Sequence, residues 1–145
     1  MSHTDIIRLT SADAATAEAI SRLLKQLTST PIDFTESFLE RIIAEGNALF
    51  VLREEGEVVG MLTVGSYSSP TGRKAWIEDV VVDEALRGSG LGRVLVEHAI
   101  DYCREEGIGT VYLTSNPKRV AANGLYRSVG FVRKETNMYK MDLKK

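Results

Sequence analysis

The chain has 145 residues, one cysteine, 43% hydrophobic residues and a formal net charge of −2. That length suits a single domain spanning residues 1–145 with a core of its own; the lone Cys103 excludes an internal disulfide and fits a reducing cytoplasm, while the near-neutral charge argues against a broad nucleic-acid surface. No stretch is long and apolar enough to span a membrane, "MSHTDIIRLT" lacks the charged-then-apolar layout of a secretory signal, and His3 and His98 stand far apart without a cysteine cluster, so no metal site is expected.

"DIIRL" reads as a first short strand. In the next segment Ala17, Ile20, Leu24 and Leu27 fall on one helical face, with Thr10 as the expected cap. "PIDFTESFLERIIAEGN" reads as a second helix, with Phe38, Leu39, Ile42 and Ile43 as its buried stripe and Gly46 as its stop. Phe34 and Phe38 are core residues by spacing. The period then changes to two. "ALFVLR" and "VVGMLTVGSY" form a hairpin around a solvated turn at "EEGE", "SSPTGR" is a loop, and "KAWIEDVVV" is a β-branched strand expected to be buried on both faces. Leu91, Leu95, Ala99 and Tyr102 mark a helix that stops near Gly107. "TVYLTS" is a strand parallel to the previous one, because a helix connects them. A last helix opens with Asn116 as cap and Pro117 in its first turn and closes at Gly130. "TNMYKMDL" is expected as a final strand. The order implies an α/β (α+β) fold, in which a mixed sheet has antiparallel strands first and a βαβ unit afterwards.

Ligands of such sheets bind beyond the carboxyl end of a central strand, beside the helix that follows. That place holds "GSGLG", residues 88–92, in which Gly88, Gly90 and Gly92 precede a helix that glycine would weaken. A tight turn is one reading. A dinucleotide site lacks its third glycine and its acidic partner, and a phosphate-binding P-loop lacks its Gly-Lys-Ser/Thr. The remaining reading is a pyrophosphate on successive backbone N–H groups at the helix N-terminus, where the dipole favours an anion and no Cβ blocks approach. Arg87 adds a cation to the same corner.

"RGSGLG" within "WIEDVVVDEALRGSGLGRVLVEHAI" resembles the R/Q-x-x-G-x-G/A signature of the GNAT acetyltransferase superfamily, and "AANGLYRSVGF" resembles that family's A-x-x-LY-xxx-GF element. The pair occurs in the expected order, separated by one helix and one strand. The resemblance implies a mostly antiparallel sheet of six to seven strands, four helices and a splayed central strand pair. It also implies acetyl-coenzyme A as donor and a primary amine of a small molecule or peptide as acceptor. Arg87, Gly88, Ser89, Gly90, Leu91, Gly92 and Arg93 would hold the pyrophosphate, and Val80, Val81 and Val82 would offer backbone to the pantetheine arm. Tyr126 matches the tyrosine that protonates the departing thiolate. Asn123, one turn earlier, faces the cofactor. Asn116 shares that possibility with its cap role.

A lysine-like amine is neutral at pH 7 only at a cost of about 4.6 kcal/mol, so a base is needed. Glu78 and Asp79 are the candidates. Alternation along a strand lets at most one face the cleft, and reach favours Glu78. Trp76 either walls the acceptor site or fills the sheet, and the loop containing Phe34 would roof that site. Residues 77–92 are also similar to the corresponding strand of glucosamine-phosphate N-acetyltransferases, from which the later helix departs. Cys103 reads as a small buried hydrophobe and His98 as a packing or surface residue. A homodimer through the last strand is compatible with this fold. The rival from another class is a non-catalytic CoA-binding sensor or assembly module, which needs the glycine loop but not an acid at Tyr126.

Overall fold

The computed structural model describes residues 3–144; Met1, Ser2 and Lys145, at the ends of the expected domain, lie outside them. The described chain divides into two compact units, residues 3–114 and residues 115–144.

The first unit is a five-stranded sheet in the order β1-β2-β3-β4-β5. Its strands are β1 (Thr4–Arg8), β2 (Ala48–Glu54), β3 (Glu57–Ser69), β4 (Gly72–Val82) and β5 (Thr110–Tyr112), and its helices are α1 (Ala14–Leu27), α2 (Glu36–Ala44) and α3 (Leu91–Glu105). β1 to β4 pair antiparallel, while β5 joins β4 in parallel. Sheet and helices meet in two layers because β2 alternates. Leu49 and Val51 enter a core with Ile20, Leu23 and Leu24 of α1 and Leu39 of α2. Phe50, pointing the other way, meets His98 and Tyr102 of α3 edge to face, with ring centroids 4.9 and 5.2 Å away. His98 is therefore a packing residue. Cys103 is buried at 1% exposure, as expected of a small apolar side chain.

Local signals set the helix ends, though not always those expected. Asp13, not Thr10, caps α1 by accepting from Thr16 N at 2.7 Å. Thr35 caps α2 through Phe38 N, and Gly46 follows α2 at φ 83, a left-handed stop suited to glycine. Only Leu39 of the predicted α2 stripe is fully buried; Phe38 is 42% exposed. β4 is also less enclosed than its β-branched run suggested. Ala75, Ile77 and Val81 are buried, while Glu78 and Asp79 are exposed.

The second unit contains α4 (Val120–Ser128), which starts at Val120 rather than near Pro117. Asn116 caps the preceding turn instead, accepting from Lys118 N at 2.9 Å. Gly130 follows the helix at φ 112. Residues 131–144 contain no strand, so the described residues hold five strands and not six or seven. In "TNMYKMDL" Lys140 and Asp142, two apart, form an ion pair at 3.3 Å. Alternation specifies which side each residue takes in an extended chain; a strand also needs a ladder partner, which no periodicity supplies.

Among the described residues no helix is long and apolar enough to cross a membrane. Leu62, in the middle of β3, is fully buried. Leu62→Ala is expected to lower unfolding free energy by about 3 kcal/mol in urea denaturation. A loss under about 1 kcal/mol would show that its neighbours close over the gap.

Candidate functional site

The site begins with a register slip. Thr63 of β3 pairs with Glu78 of β4, but Met61 pairs with Val81, so Asp79 and Val80 together oppose Leu62. This is a β-bulge. Asp79 adopts φ 54, in the left-handed region that acids and asparagine tolerate better than most residues. Because Thr63 and Met61 lie on one face of β3, their partners Glu78 and Val81 also share a face, although three positions separate them. Val81 enters the α1–α2 core, so only its backbone remains for a ligand. Glu78 is two residues from Trp76 and stands on that same face.

Both carboxyls are pushed above the usual carboxylate range. For Glu78 partial burial is the larger cause and the neighbouring charge of Asp79 adds to it. For Asp79 burial acts alone. Each is therefore a better proton acceptor than a free carboxylate, which is what a base near neutrality needs.

Pairing of β4 with β5 stops early. It runs from Lys74↔Thr110 to Trp76↔Tyr112 and no further. Among the described residues β5 ends at Tyr112, and beyond Trp76 the β5-side backbone of β4 has no strand partner.

The chain leaves β4 through a short 3₁₀ turn at Glu84–Leu86, whose backbone is fastened to α1 by Glu84 N donating to Gln26 Oε1 at 2.8 Å. Then come Gly88 at φ 85 and Gly90 at φ 84. Gly90 is the cap residue of α3 and no side chain caps that helix. A Cβ at Gly88 or Gly90 would meet nothing within 4 Å, so these glycines serve the left-handed backbone and an open approach rather than a crowded interior. The first-turn amides of Leu91 and Gly92 have no acceptor within their own helix. Ser89 differs: its N–H donates to Leu86 O at 3.3 Å and its hydroxyl donates to the same carbonyl. Ser89 thus braces the turn, and its amide is already committed to Leu86. Arg87 is exposed. The Arg93 guanidinium is paired with Glu97 at 2.6 Å, one turn along α3.

Trp76 has a partner that sequence reasoning missed. Its ring stacks on Tyr112 of β5, with centroids 5.1 Å apart and planes inclined by 26°. The only available signal was period two in "TVYLTS", which puts Tyr112 on one face but cannot say whose. Phe34 makes its ring contact with Phe38, 5.3 Å away, and Ser21 Oγ holds its carbonyl at 3.2 Å. Phe34 also packs against the α1–α2 core.

In the second unit, Tyr126 is 8% exposed and its ring lies 6.2 Å from Phe131, edge to face. Burial raises its phenol above the ordinary value, with nearby Arg119 opposing. It is therefore a firmly protonated donor at neutral pH. Asn123 donates to Asn116 O at 2.9 Å and Arg119 O at 2.7 Å, which leaves its carbonyl oxygen for any ligand. Ser115 Oγ, missed in the sequence, is buried with no hydrogen-bond partner. Among the described residues no group of three or more His, Cys, Asp or Glu side chains is placed to hold a metal.

Residues 17–131 match the model of the acetyltransferase (GNAT) family. The chain is 32% identical over 126 residues to a glucosamine 6-phosphate N-acetyltransferase of Oryza sativa subsp. japonica, covering 80% of this chain and 74% of the rice protein. It is 35% identical over 88 residues to the streptothricin acetyltransferase of Streptomyces lavendulae, an alignment covering 61% of this chain and 46% of that one, so it spans less than half of that relative. The crystal structure of glucosamine-6-phosphate N-acetyltransferase from Arabidopsis thaliana superposes with a TM-score of 0.79 at 26% identity, covering 96% of this chain and 98% of that chain.

The raised carboxyls make stability pH-dependent. A group whose folded value lies above its unfolded one contributes most when protonated, and that contribution is lost as pH rises through the folded value. Glu78→Gln removes it. The melting temperature of the variant, compared with the parent, is expected to rise as pH climbs from the free carboxyl value of about 4.3 through the higher folded value of Glu78. A constant difference across that window would mean Glu78 is as well solvated as in the unfolded chain.

Proposed function

The chain belongs to the acetyltransferase (GNAT) family, and on that premise we propose that it transfers the acetyl group of acetyl-coenzyme A to a primary amine by direct attack. The observation that carries this reading is the junction of β4 and α3. A bulged strand with unpaired backbone runs into a glycine turn whose left-handed residues open onto free helix-terminal amides. Acetyl-coenzyme A supplies an activated acyl group and a pyrophosphate. The amides of Gly88, Gly90, Leu91 and Gly92 suit the pyrophosphate, with Arg87 adding charge. Ser89 keeps the turn in shape, and the backbone of Val80, Val81 and Val82 suits the pantetheine amides.

In the reaction the amine nitrogen bonds to the thioester carbonyl carbon and the carbon–sulfur bond breaks, and the second proton that the nitrogen sheds on becoming an amide restores the phenol that protonates the thiolate. Glu78 receives the proton that the ammonium must lose, its raised carboxyl value narrowing the gap to the amine. Asp79 sustains that shift by its charge. Tyr126 supplies the proton that the thiolate takes up; its buried phenol holds that proton until then. Asn123 orients the cofactor through its remaining carbonyl oxygen. On the acceptor side, Trp76 borders the amine near Glu78, and Phe34 anchors the loop that covers it. Relatives named for acting on glucosamine 6-phosphate and streptothricin make a small molecule the favoured acceptor class over a peptide. The alternative, a CoA-binding sensor without catalysis, has no need for a strongly protonated Tyr126.

Calorimetry should show one acetyl-coenzyme A bound per chain. Gly90→Glu should abolish that binding, since it strains the left-handed position and brings a negative charge to the phosphates; uptake by the variant equal to the parent's would overturn the site. Tyr126→Phe should retain cofactor affinity and lose about 10²-fold or more in turnover, read as release of free CoA thiol. Undiminished turnover would remove Tyr126 as the acid.

A further inference from the structure

We propose that Gly65 is the specificity-determining position of the acceptor site, and that the slot above it receives a planar aromatic ring carried by the amine substrate. This rests on the acetyl-transfer reading and names the acceptor's chemistry.

Three neighbouring strands contribute to the argument. On one face of the sheet, Tyr112 of β5 and Trp76 of β4 are register partners and stack at 5.1 Å. That spacing is close to the separation of adjacent strands, about 4.8 Å, so each ring occupies the row of its own strand. The next row belongs to β3, where the register partner of Trp76 is Gly65. The stack therefore ends at a position with no side chain. A glycine opposite an aromatic residue is often covered by that residue, but not here. A Cβ built at Gly65 has only one neighbouring atom within 4 Å, Asn47 Oδ1 at 3.5 Å, and no atom of Trp76. Asn47 is itself held in place, its Nδ2 donating to Ile42 O at 3.2 Å. The space over Gly65 is thus bordered by an indole on one side and an amide on the other. Along β3 it lies between Tyr67 and Thr63.

A third ring in this row would extend the stack by one strand spacing. The site also fixes the distance from ring to nitrogen. Thr63, two residues along β3 from Gly65, is the register partner of Glu78. Glu78 is therefore the diagonal neighbour of Gly65, about 7–8 Å away, a gap that a tether of about three carbons and the reach of the Glu78 side chain bridge together. The geometry thus favours an aromatic ring on a short alkyl chain ending in the reactive amine, over an open-chain amine of similar length. No strain opposes a side chain at Gly65, because its φ lies outside the left-handed range.

The test compares 3-phenylpropylamine with n-hexylamine on the full chain. Two readouts are used: acetylation by release of CoA thiol, and emission from Trp76, which is the only tryptophan of the chain. The aryl amine should have a KM lower by roughly threefold to tenfold, the range expected of one aromatic contact, and should change Trp76 emission saturably where hexylamine does not. Gly65→Val should bring the two KM values together. Gly65→Ala, which adds only the Cβ that fits beside Asn47, should narrow the gap partway and keeps the test intact should the valine variant not fold. Equal KM values for both amines in the parent chain, with Trp76 emission unmoved, would overturn the proposal and leave acetyl transfer standing. Saturable emission changes without acetylation of either amine would uphold the ring slot and overturn the transfer reading.

Discussion

The bulge opposite Leu62 inserts one residue into β4 and changes what every later residue of that strand presents. Without it, strict alternation would send Val81 to the α3 side, and the core under α1 would lose a member. With it, Glu78 and Val81 share a face, one in solvent reach and the other in the core. The same slip leaves Asp79 left-handed beside Glu78. A bulge bends its strand and sharpens the local twist, and here the ladder between β4 and β5 ends at Trp76, two residues before Glu78. The fold tolerates the strained residue because β3 and two helical layers fix the strand on either side. Strain held in this way at an acid pair is a sign of a position shaped for chemistry as well as for packing.

The other half of the site is made of backbone. A side-chain Cβ at Gly88 or Gly90 would meet nothing within 4 Å. Their contribution is to let the chain turn back left-handed and enter α3 without a side-chain cap. A helix start of this kind normally finds a capping hydroxyl or carboxylate. Its absence leaves amide donors and the positive end of the dipole directed at solvent, a combination suited to a phosphate. Ser89 shows how economical the turn is: its amide and hydroxyl both serve one carbonyl, that of Leu86, so shape is held by one residue and ligand-facing donors come from its neighbours.

Electrostatics then assigns roles to residues that sequence treats as equivalent. Two carboxyls on one strand are raised above the usual carboxylate range, Glu78 by desolvation and the charge of Asp79, and Asp79 by desolvation alone. A tyrosine on a short amphipathic helix becomes a firmly protonated donor through burial. In each case the cause is the removal of water from a polar group, which disfavours the charged form. This is why a carboxyl and a phenol both shift in the same direction when water is withdrawn.

The sequence by itself determined the element order as far as the last helix, and the glycine turn, because hydrophobic period and glycine spacing are local properties of the chain. It also identified the family through two short motifs on the right elements, since those motifs are constraints on contiguous backbone. It did not foresee the bulge: an Asp inside a β-branched run is compatible with straight pairing, and only the register against β3 shows the extra residue. Nor did it foresee the stack of Trp76 on Tyr112 beside a bare Gly65, because residues 65, 76 and 112 meet through strand pairing rather than proximity in the chain. A final strand read from the alternation of residues 136–143 failed for the same reason. Periodicity states which side a residue would take, whereas a ladder requires a second strand in register, and that is decided by tertiary structure alone.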